Sequence, residues 1–479
     1  MGVVIKAFRT PLGCYVYDRG SHTIIRVPET QYPLFLKLEA GKADGETADI
    51  LEEYRAKGVL KENPLKEIRH PAAQTLPYYL EHRVQKITLQ LTQSCNLRCD
   101  YCTYSGKYHQ RAHGGGRMSF ETIKKSIDYA MRRSDGVEDL NIGFYGGEPL
   151  LEFENLKKAV EYVSEKYHDR KVNYTITTNG TLLNDEMACF LSAHDFSVLV
   201  SLDGPKELHD RNRVFANGEG SFDRIMDNLR YIKGKYPGFF QKISFNTVVP
   251  PGSDYRCIEH FFSANALIEA NRLSKTTVSE FSRKDEVYYD DRYFITYQYQ
   301  TFKILMAALG FYDKKKISPL FSADFVEIQR FYDHLGESPV CASCAHPGGP
   351  CIPGARRPMI DIDGNLFPCE RVSERSEAMK IGHIDTGCDR KKAEKLLNIG
   401  KLTQKECINC WNFVNCGLCA SAADDGTALT REKKLSYCEG GKRRTLNIMR
   451  SICLLHEYQY DFQEDFFNEE DCVISDTEK

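Results

Sequence analysis

The chain has 479 residues, 42% of them hydrophobic and 27% charged, with a formal net charge of −3. Such a length calls for roughly two to four domains with sizeable cores, and the near-neutral balance argues against nucleic acid as a main partner. No apolar run approaches the roughly 20 residues that a bilayer crossing needs, and the opening MGVVIKAFRT turns polar too soon for a secretory signal, so a cytoplasmic location without membrane attachment is expected.

Residues 1–80 open with short alternating runs, VVIKAF, GCYVYD and HTIIRV, parted by turns such as DRGS. Two helical patterns follow, around QYPLFLKLEAG and TADILEEYRAKG. Strands followed by helices predict a small winged-helix-like module. Its 11 basic against 10 acidic residues are poor equipment for DNA. An unpaired strand edge would instead accept a peptide as an added strand. IRHPAAQTLPYY reads as a linker.

Over residues 81–280 strand and helix alternate. VQKITLQLT, LNIGFYG, KVNYTITTN, FSVLVSLDG and QKISFNTVV read as strands, with helical stretches such as SFETIKKSIDYAMRR and LLEFENLKKAVEYVSEKY between them. Repeated βα units predict a parallel sheet covered by helices, barrel or open, with its site at the carboxyl ends of the strands. Every unusual motif falls at such an end: the cysteines of TQSCNLRCDYC after the first strand, YGGEP after the second, TTNGT after the third and SLDGP after the fourth. Residues 281–335, including EVYYDDRYFITYQYQTFKILMAALGFY, are Tyr-rich with a helical period and read as a bridge, an aromatic wall for a peptide being the weaker reading. Residues 336–450 are cysteine-rich. Residues 451–479 form an acidic tail; the last 26 residues hold nine acids and one lysine, so a solvated or loosely docked segment is expected.

Eighteen cysteines in a reducing compartment point to soft-metal binding rather than disulfides. Cys14, Cys189, Cys257 and Cys388 read as ordinary buried thiols, and Cys453 and Cys472 have no evident partners. The other twelve fall into two groups, at 95–102 and 341–438. Cys95, Cys99 and Cys102 lie within eight residues, and no fourth cysteine or histidine closes the set before His109. A 4Fe–4S cubane wants four ligands, so three thiolates leave one iron open to a small molecule. A structural zinc site would need a fourth ligand that this loop does not supply.

CxxxCxxC after the first strand of a βα repeat, with Tyr101 ahead of the third cysteine, resembles the radical S-adenosylmethionine (SAM) enzymes. The resemblance implies an α/β fold built on a partial (β/α)6 TIM-like barrel. It implies a cluster whose open iron is chelated by the amino and carboxylate groups of SAM, and one-electron cleavage that releases a 5′-deoxyadenosyl radical. It further implies that Gly146, Gly147 and Glu148 hold the amino group and that Ser201 and Asp203 contact the carboxylate and ribose. Asn179 would wall the same pocket, Tyr101 would lie near the adenine and Arg213 of HDRNR would reach the carboxylate. Glycine lets backbone approach closely, and Glu148 can accept from an ammonium.

CASCAHPGGPC at 341–351, DGNLFPC ending at Cys369, CINCWNFVNCGLC at 407–419 and the distant Cys438 resemble the SPASM extension. That resemblance implies two auxiliary 4Fe–4S clusters beside the SAM-binding one, three in all. Cys344, Cys351, Cys369 and Cys419 would ligate the first, and Cys407, Cys410, Cys416 and Cys438 the second. The last gap of the block is CxxC, one residue shorter than the usual pattern, and Cys341 competes with Cys344. Whether the first auxiliary cluster keeps an open iron for a substrate thiol is therefore left open, and a pair of zinc ribbons is the alternative. Glu370, directly after Cys369, stands where the related sulfatase-maturing enzymes carry an Asp base; a surface carboxylate is the other reading. The whole chain most resembles maturases of cysteine-rich ribosomal peptides. The implied activity is oxidative thioether formation between a cysteine sulfur and a carbon of another residue, on a precursor held by its leader, with a flavodoxin or ferredoxin as electron donor. Carbon–carbon crosslinking, epimerisation and sulfatase maturation share the same core, and a metal-bearing peptide-binding regulator is the alternative outside enzymes.

Overall fold

The structure, a computed structural model, describes residues 2–337, 342–348, 351–463 and 466. Three antiparallel strands come first: β1 (Ile5–Thr10), β2 (Gly13–Asp18) and β3 (Thr23–Val27), with β2 in the middle. Alternation divides their side chains between two faces. Ile5, Ala7, Cys14, Val16 and Val27 pack under the helices Tyr32–Glu39 and Gly45–Ala56. Phe8, Tyr15 and Tyr17 point the other way, onto Met449 and Cys453 of the long helix Cys438–Glu457. Asp44 caps the second helix by accepting from Thr47 N at 3.0 Å. The stretch read as a linker is ordered: it holds β4 (Glu67–Ile68) and the helix Leu76–His82, with Ile68 and Leu76 fully buried.

Six parallel strands follow in spatial order: β5 (Lys86–Thr92), β6 (Leu140–Gly146), β7 (Val172–Thr178), β8 (Ser197–Ser201), β9 (Ile243–Val249) and β10 (Leu273–Thr277). Five are the strands predicted from sequence. β10, LSKTT, was not among them, because a polar, half-exposed strand carries no apolar alternation to read. Register sets the two faces of this sheet. Leu89, Phe144, Ile176, Val198 and Phe245 are buried on one face among helix residues such as Ile127, Val160 and Leu229. The opposite face carries Gln90 beside Tyr145, Gly143 beside Thr175, and Ser201 beside Asn246. A dry face thus holds the sheet together while a polar face is left for a ligand.

Five short strands follow in the cysteine-rich segment. β11 (Cys344–Ala345) pairs with β4. β12 (Met359–Ile360) joins β5 in parallel, and β13 (Asn365–Phe367), β14 (Gly382–His383) and β15 (Gly387–Cys388) extend the sheet to ten strands. Growth on the β5 edge brings the Cys369 loop to the strand that launches the first cysteine motif.

Two further expectations are corrected. The helix Cys438–Glu457 runs into the stretch read as an acidic tail, Leu455 and Phe462 are buried, and the Phe462 ring stacks on Tyr332 at 3.9 Å. The near part of the tail is therefore docked, because its interleaved apolar side chains find the helix Ser322–Asp333; Cys472 lies outside the described residues. Cys189 and Cys257, read as buried thiols, are exposed on the helices Asp185–Ala193 and Tyr255–Ala264. Among the described residues no helix is long and apolar enough to cross a membrane.

Phe144 is 1% exposed and stacks on both Tyr174 and Phe196, 6.4 and 5.9 Å away. Phe144→Ala is expected to destabilise the fold by about 3–5 kcal/mol, seen as a clear drop in the thermal midpoint; an unchanged midpoint would contradict this packing.

Candidate active site at the strand ends

β5 ends at Thr92, and the chain turns through Ser94 into the cysteine loop. Beneath that turn lie Gly146 and Gly147: Gly147 N donates to Thr92 O at 2.8 Å, and Glu148 N to Ser94 O at 2.9 Å. A Cβ on Gly146 would stand 2.2 Å from Thr92 O, and one on Gly147 2.1 Å from Ser94 O. Gly146 also has φ of +139°, which side chains disfavour. The close approach expected of this glycine pair is made to the chain's own cysteine turn.

Burial pushes the Cys95 thiol up to about 11 and the Cys99 thiol to about 12, and in both the neighbouring thiols add to the rise. Burial raises Cys102 as well. Three soft donors that resist ionising alone suit a cationic iron–sulfur core, which stabilises their thiolates. Among the described residues, no group of three or more His, Cys, Asp or Glu forms a site for a single metal ion.

The remaining predicted residues surround this loop. Asn179 Nδ2 donates to Asn96 Oδ1 at 2.8 Å and reaches Cys95 Sγ at 3.8 Å. Ser201 ends β8 half-buried, in register with Asn246. Asp203 is wholly buried; it accepts from the Tyr101 hydroxyl and from Val248 N at 3.1 Å, and pairs with Arg213 Nε at 3.0 Å. Arg213 Nη1 in turn approaches Cys99 Sγ at 3.8 Å, and its guanidinium lies 5.4 Å from the Tyr101 ring. Tyr101, Asp203 and Arg213 thus form one buried unit that grips the cysteine loop, where the sequence suggested three separate ligand contacts.

Glu148 is 1% exposed and accepts from Thr178 Oγ1 at 2.7 Å, Asn179 N at 2.7 Å and Leu150 N at 3.1 Å. Burial still pushes its carboxyl up to about 7, and among the described residues it has no basic partner. A buried carboxylate of this kind fits a ligand ammonium, which would draw its proton off.

The later cysteines neighbour one another, Cys416 lying close to Cys407 and Cys419 alike. Burial raises Cys351, with the neighbouring Cys419 adding to it, and burial lifts Cys369 to about 12 with Glu370 and Cys351 contributing. Cys410 rises to about 11 through burial beside Cys407 and Cys416, and Cys438 rises beside Cys416 and Cys407. Cys344 sits on β11 against Arg69; Cys341 lies outside the described residues. Glu370 faces Arg357, whose Nη1 is 3.4 Å from its carboxylate.

One cluster escaped the sequence reading. Arg111, 2% exposed, pairs with Glu374 and donates to the carbonyls of Glu370 and Val372, while Gln90 Nε2 donates to Tyr104 Oη at 2.7 Å and to Glu374 at 2.8 Å. It ties the segment after the cysteine motif to the Cys369 loop. Single residues far apart in sequence give no local signal for such a tie.

Gly147→Ala is expected to displace the Thr92–Cys95 turn, leaving a folded chain with less bound iron after anaerobic reconstitution; full iron retention would contradict the contact. Glu148 supplies a pH test. Its ordinary value is 4.5 and its folded value is about 7, so the unfolded chain releases this proton first and stability falls as pH rises between the two. The cost, complete above pH 7, is about 3 kcal/mol. Without SAM, Glu148→Gln should gain stability relative to the parent across that window, read as thermal midpoints at pH 4.5 and 7.5; a constant difference would argue against it.

Residues 89–264 match the Radical SAM superfamily. A cysteine-type anaerobic sulfatase-maturating enzyme of Clostridium novyi (strain NT) is 29% identical over 317 residues, spanning 61% of this chain and 75% of that protein. A serine-type anaerobic sulfatase-maturating enzyme of Bacteroides thetaiotaomicron is 35% identical over 141 residues, 29% of this chain and 34% of that one. The radical SAM cyclopropyl synthase TigE of Paramaledivibacter caminithermalis is 26% identical over 220 residues, 43% of this chain and 45% of that one. Both of these are matched over less than half their length. Among solved structures, native anSMEcpe with bound AdoMet has the same fold, with a TM-score of 0.57 at 20% identity over 78% of this chain and 99% of that one. With three cysteines on the loop after β5, a glycine pair beneath them and a buried carboxylate beside them, residues 89–264 form a radical SAM domain homologous to the anaerobic sulfatase-maturating enzymes, and the chain is a radical SAM enzyme.

Proposed function

We propose that the chain is a peptide maturase that installs thioether crosslinks, cysteine sulfur to carbon, in a ribosomally made cysteine-rich precursor. The N-terminal module carries this reading. It lies outside residues 89–264, and the anSMEcpe chain leaves about a fifth of this one without a counterpart. Among the described residues β3 pairs with β2 alone, so its other edge could take an extended leader as a fourth strand. Beside it is a cavity of about 240 Å³ lined by Tyr15, Ile24, Arg26, Ile452 and His456, room for a leader side chain.

In this reading Cys95, Cys99 and Cys102 hold the SAM-binding 4Fe–4S cluster. Cys351, Cys369 and Cys419, with Cys344 or Cys341, hold a first auxiliary cluster, and Cys407, Cys410, Cys416 and Cys438 a second. When bound, these groups supply the redox chemistry: one electron in to cleave SAM to a 5′-deoxyadenosyl radical, one electron out as the new bond forms. The chain's own residues do the rest. Glu148 receives the ligand ammonium, the polar face of the sheet orients the substrate, and Glu370 takes the proton of the substrate thiol. Arg357 lies 3.4 Å from the Glu370 carboxylate, and Arg111 fixes its backbone carbonyl. Each link removes two hydrogens, one abstracted from carbon and one lost from sulfur as a proton. A flavodoxin or ferredoxin is the proposed electron donor.

Sulfatase maturation is the second reading, favoured by the names of the relatives above. Oxygen-free protein, SAM, a strong reductant and a leader-bearing cysteine-rich peptide separate the two by tandem mass spectrometry. The peptide should lose two hydrogens per link and show sulfur bonded to carbon. Conversion of a sulfatase-derived peptide with the cysteine-rich one left untouched would favour the second reading. Glu370→Gln should slow crosslinking by about 10²–10⁴-fold while 5′-deoxyadenosine still forms; equal crosslinking by both proteins would remove Glu370 from the mechanism.

A further inference from the structure

We infer that Arg19 and Lys434 are the positioning cations of the cluster held by Cys407, Cys410, Cys416 and Cys438, so that the N-terminal module is part of that cluster's site; this rests on the ligand set proposed above. Arg19, in the turn after β2, is 1% exposed. One of its terminal nitrogens donates to Ile408 O at 2.7 Å and reaches Cys410 O at 3.4 Å, and the other donates to Asn63. Asn63 Nδ2 itself donates to Ile408 O at 3.0 Å. Lys434, also 1% exposed, donates to Thr403 Oγ1 at 2.8 Å, and that hydroxyl stands 3.2 Å from Cys407 Sγ.

Neither cation forms an ion pair among the described residues. Lys442, nearby, is by contrast matched by Glu439 at 2.8 Å. Two buried positive charges without an ion-pair partner are costly unless something negative lies close to them. Arg19 alone has a simpler account, since the helix Gln404–Ile408 ends at the carbonyls it caps. Lys434 has none, because its one acceptor among the described residues is the Thr403 hydroxyl, which is shared with Cys407 Sγ and Gly400 O. A cubane bound by these four thiolates would be a net anion close to both cations. Lys434 then acts through charge, and Arg19 by fixing the turn that aims Cys407 and Cys410.

The test uses the full chain as C95A/C99A/C102A, reconstituted without oxygen, so that only auxiliary signals remain for a redox titration followed by electron paramagnetic resonance. K434M is expected to lower the midpoint of one signal by about tenfold in its redox ratio, about 59 mV for a one-electron couple, and K434R to restore it. R19M is expected to surrender about four irons per chain to a ferrous chelator about tenfold faster than the parent, with R19K rescuing little because the planar fork is lost. An unmoved midpoint at full iron in K434M, with unaltered release in R19M, overturns the inference. If K434M loses the cluster outright, retention in K434R supports the charge role and loss in both overturns it. C407A/C410A separates the ligand set from its cations. Undiminished iron there sinks the ligand set and the inference together; iron loss there with silent K434M and R19M sinks the inference alone.

Discussion

Two backbones meet at the end of β6 with no room for a side chain between them. Because Gly146 and Gly147 touch Thr92 and Ser94 directly, the parallel pairing of β5 with β6 fixes where the cysteine loop begins. The next residue, Glu148, is thereby delivered beneath the thiols, and its hydrogen bonds to Thr178 and Asn179 carry the constraint to β7. Asn179 closes the circuit by returning to Asn96 and Cys95. Three strand ends and one loop are thus locked through backbone and short polar side chains, which lose little freedom on ordering.

The far side of the loop is held differently, by charge. Asp203 and Arg213 are a buried pair, which is tolerable only where the other polar atoms are satisfied. The Tyr101 hydroxyl and Val248 N donate to Asp203, and Cys99 lies in reach of Arg213. Removal of either charge would strand the other without water. This clamp depends on its full set of partners, whereas the glycine contact depends only on an absence of atoms.

The same distinction explains what could be read in the sequence. β5 to β9 were legible because each alternates or runs apolar, and the motifs were legible because parallel topology sends every strand end to one edge. β10 was missed because LSKTT is polar and half-exposed. IRHPAAQTLPYY looked like a linker from its prolines, yet Ile68 lies in β4, which pairs with β11, and Leu76 is buried. The glycines were recognised as close-contact residues, but a sequence does not say that the contact is internal. Arg111 with Glu374, and Arg19 with Ile408, join segments hundreds of residues apart and leave no periodic or spacing signal.

The docking of the N-terminal module bears on how a substrate would be chosen. Modules within a chain move relative to one another by default unless their interface is large and apolar. Here Phe8, Tyr15 and Tyr17 are buried against Met449 and Cys453, Tyr15 Oη donates to Glu457 at 2.7 Å, and Asn415 Nδ2 donates to Tyr17 Oη at 3.2 Å. Such an interface holds the outer edge of β3 at a fixed place relative to the thiol loops. On the proposed reading, a leader added to that edge fixes one end of the precursor, and the number of residues between leader and core then decides which side chain arrives at the polar face of the sheet. Tethering also raises the local concentration of that segment without any contact to it. Selection by distance would let one active site modify several positions of differing sequence, since the grip lies on the leader and not on the residue that reacts.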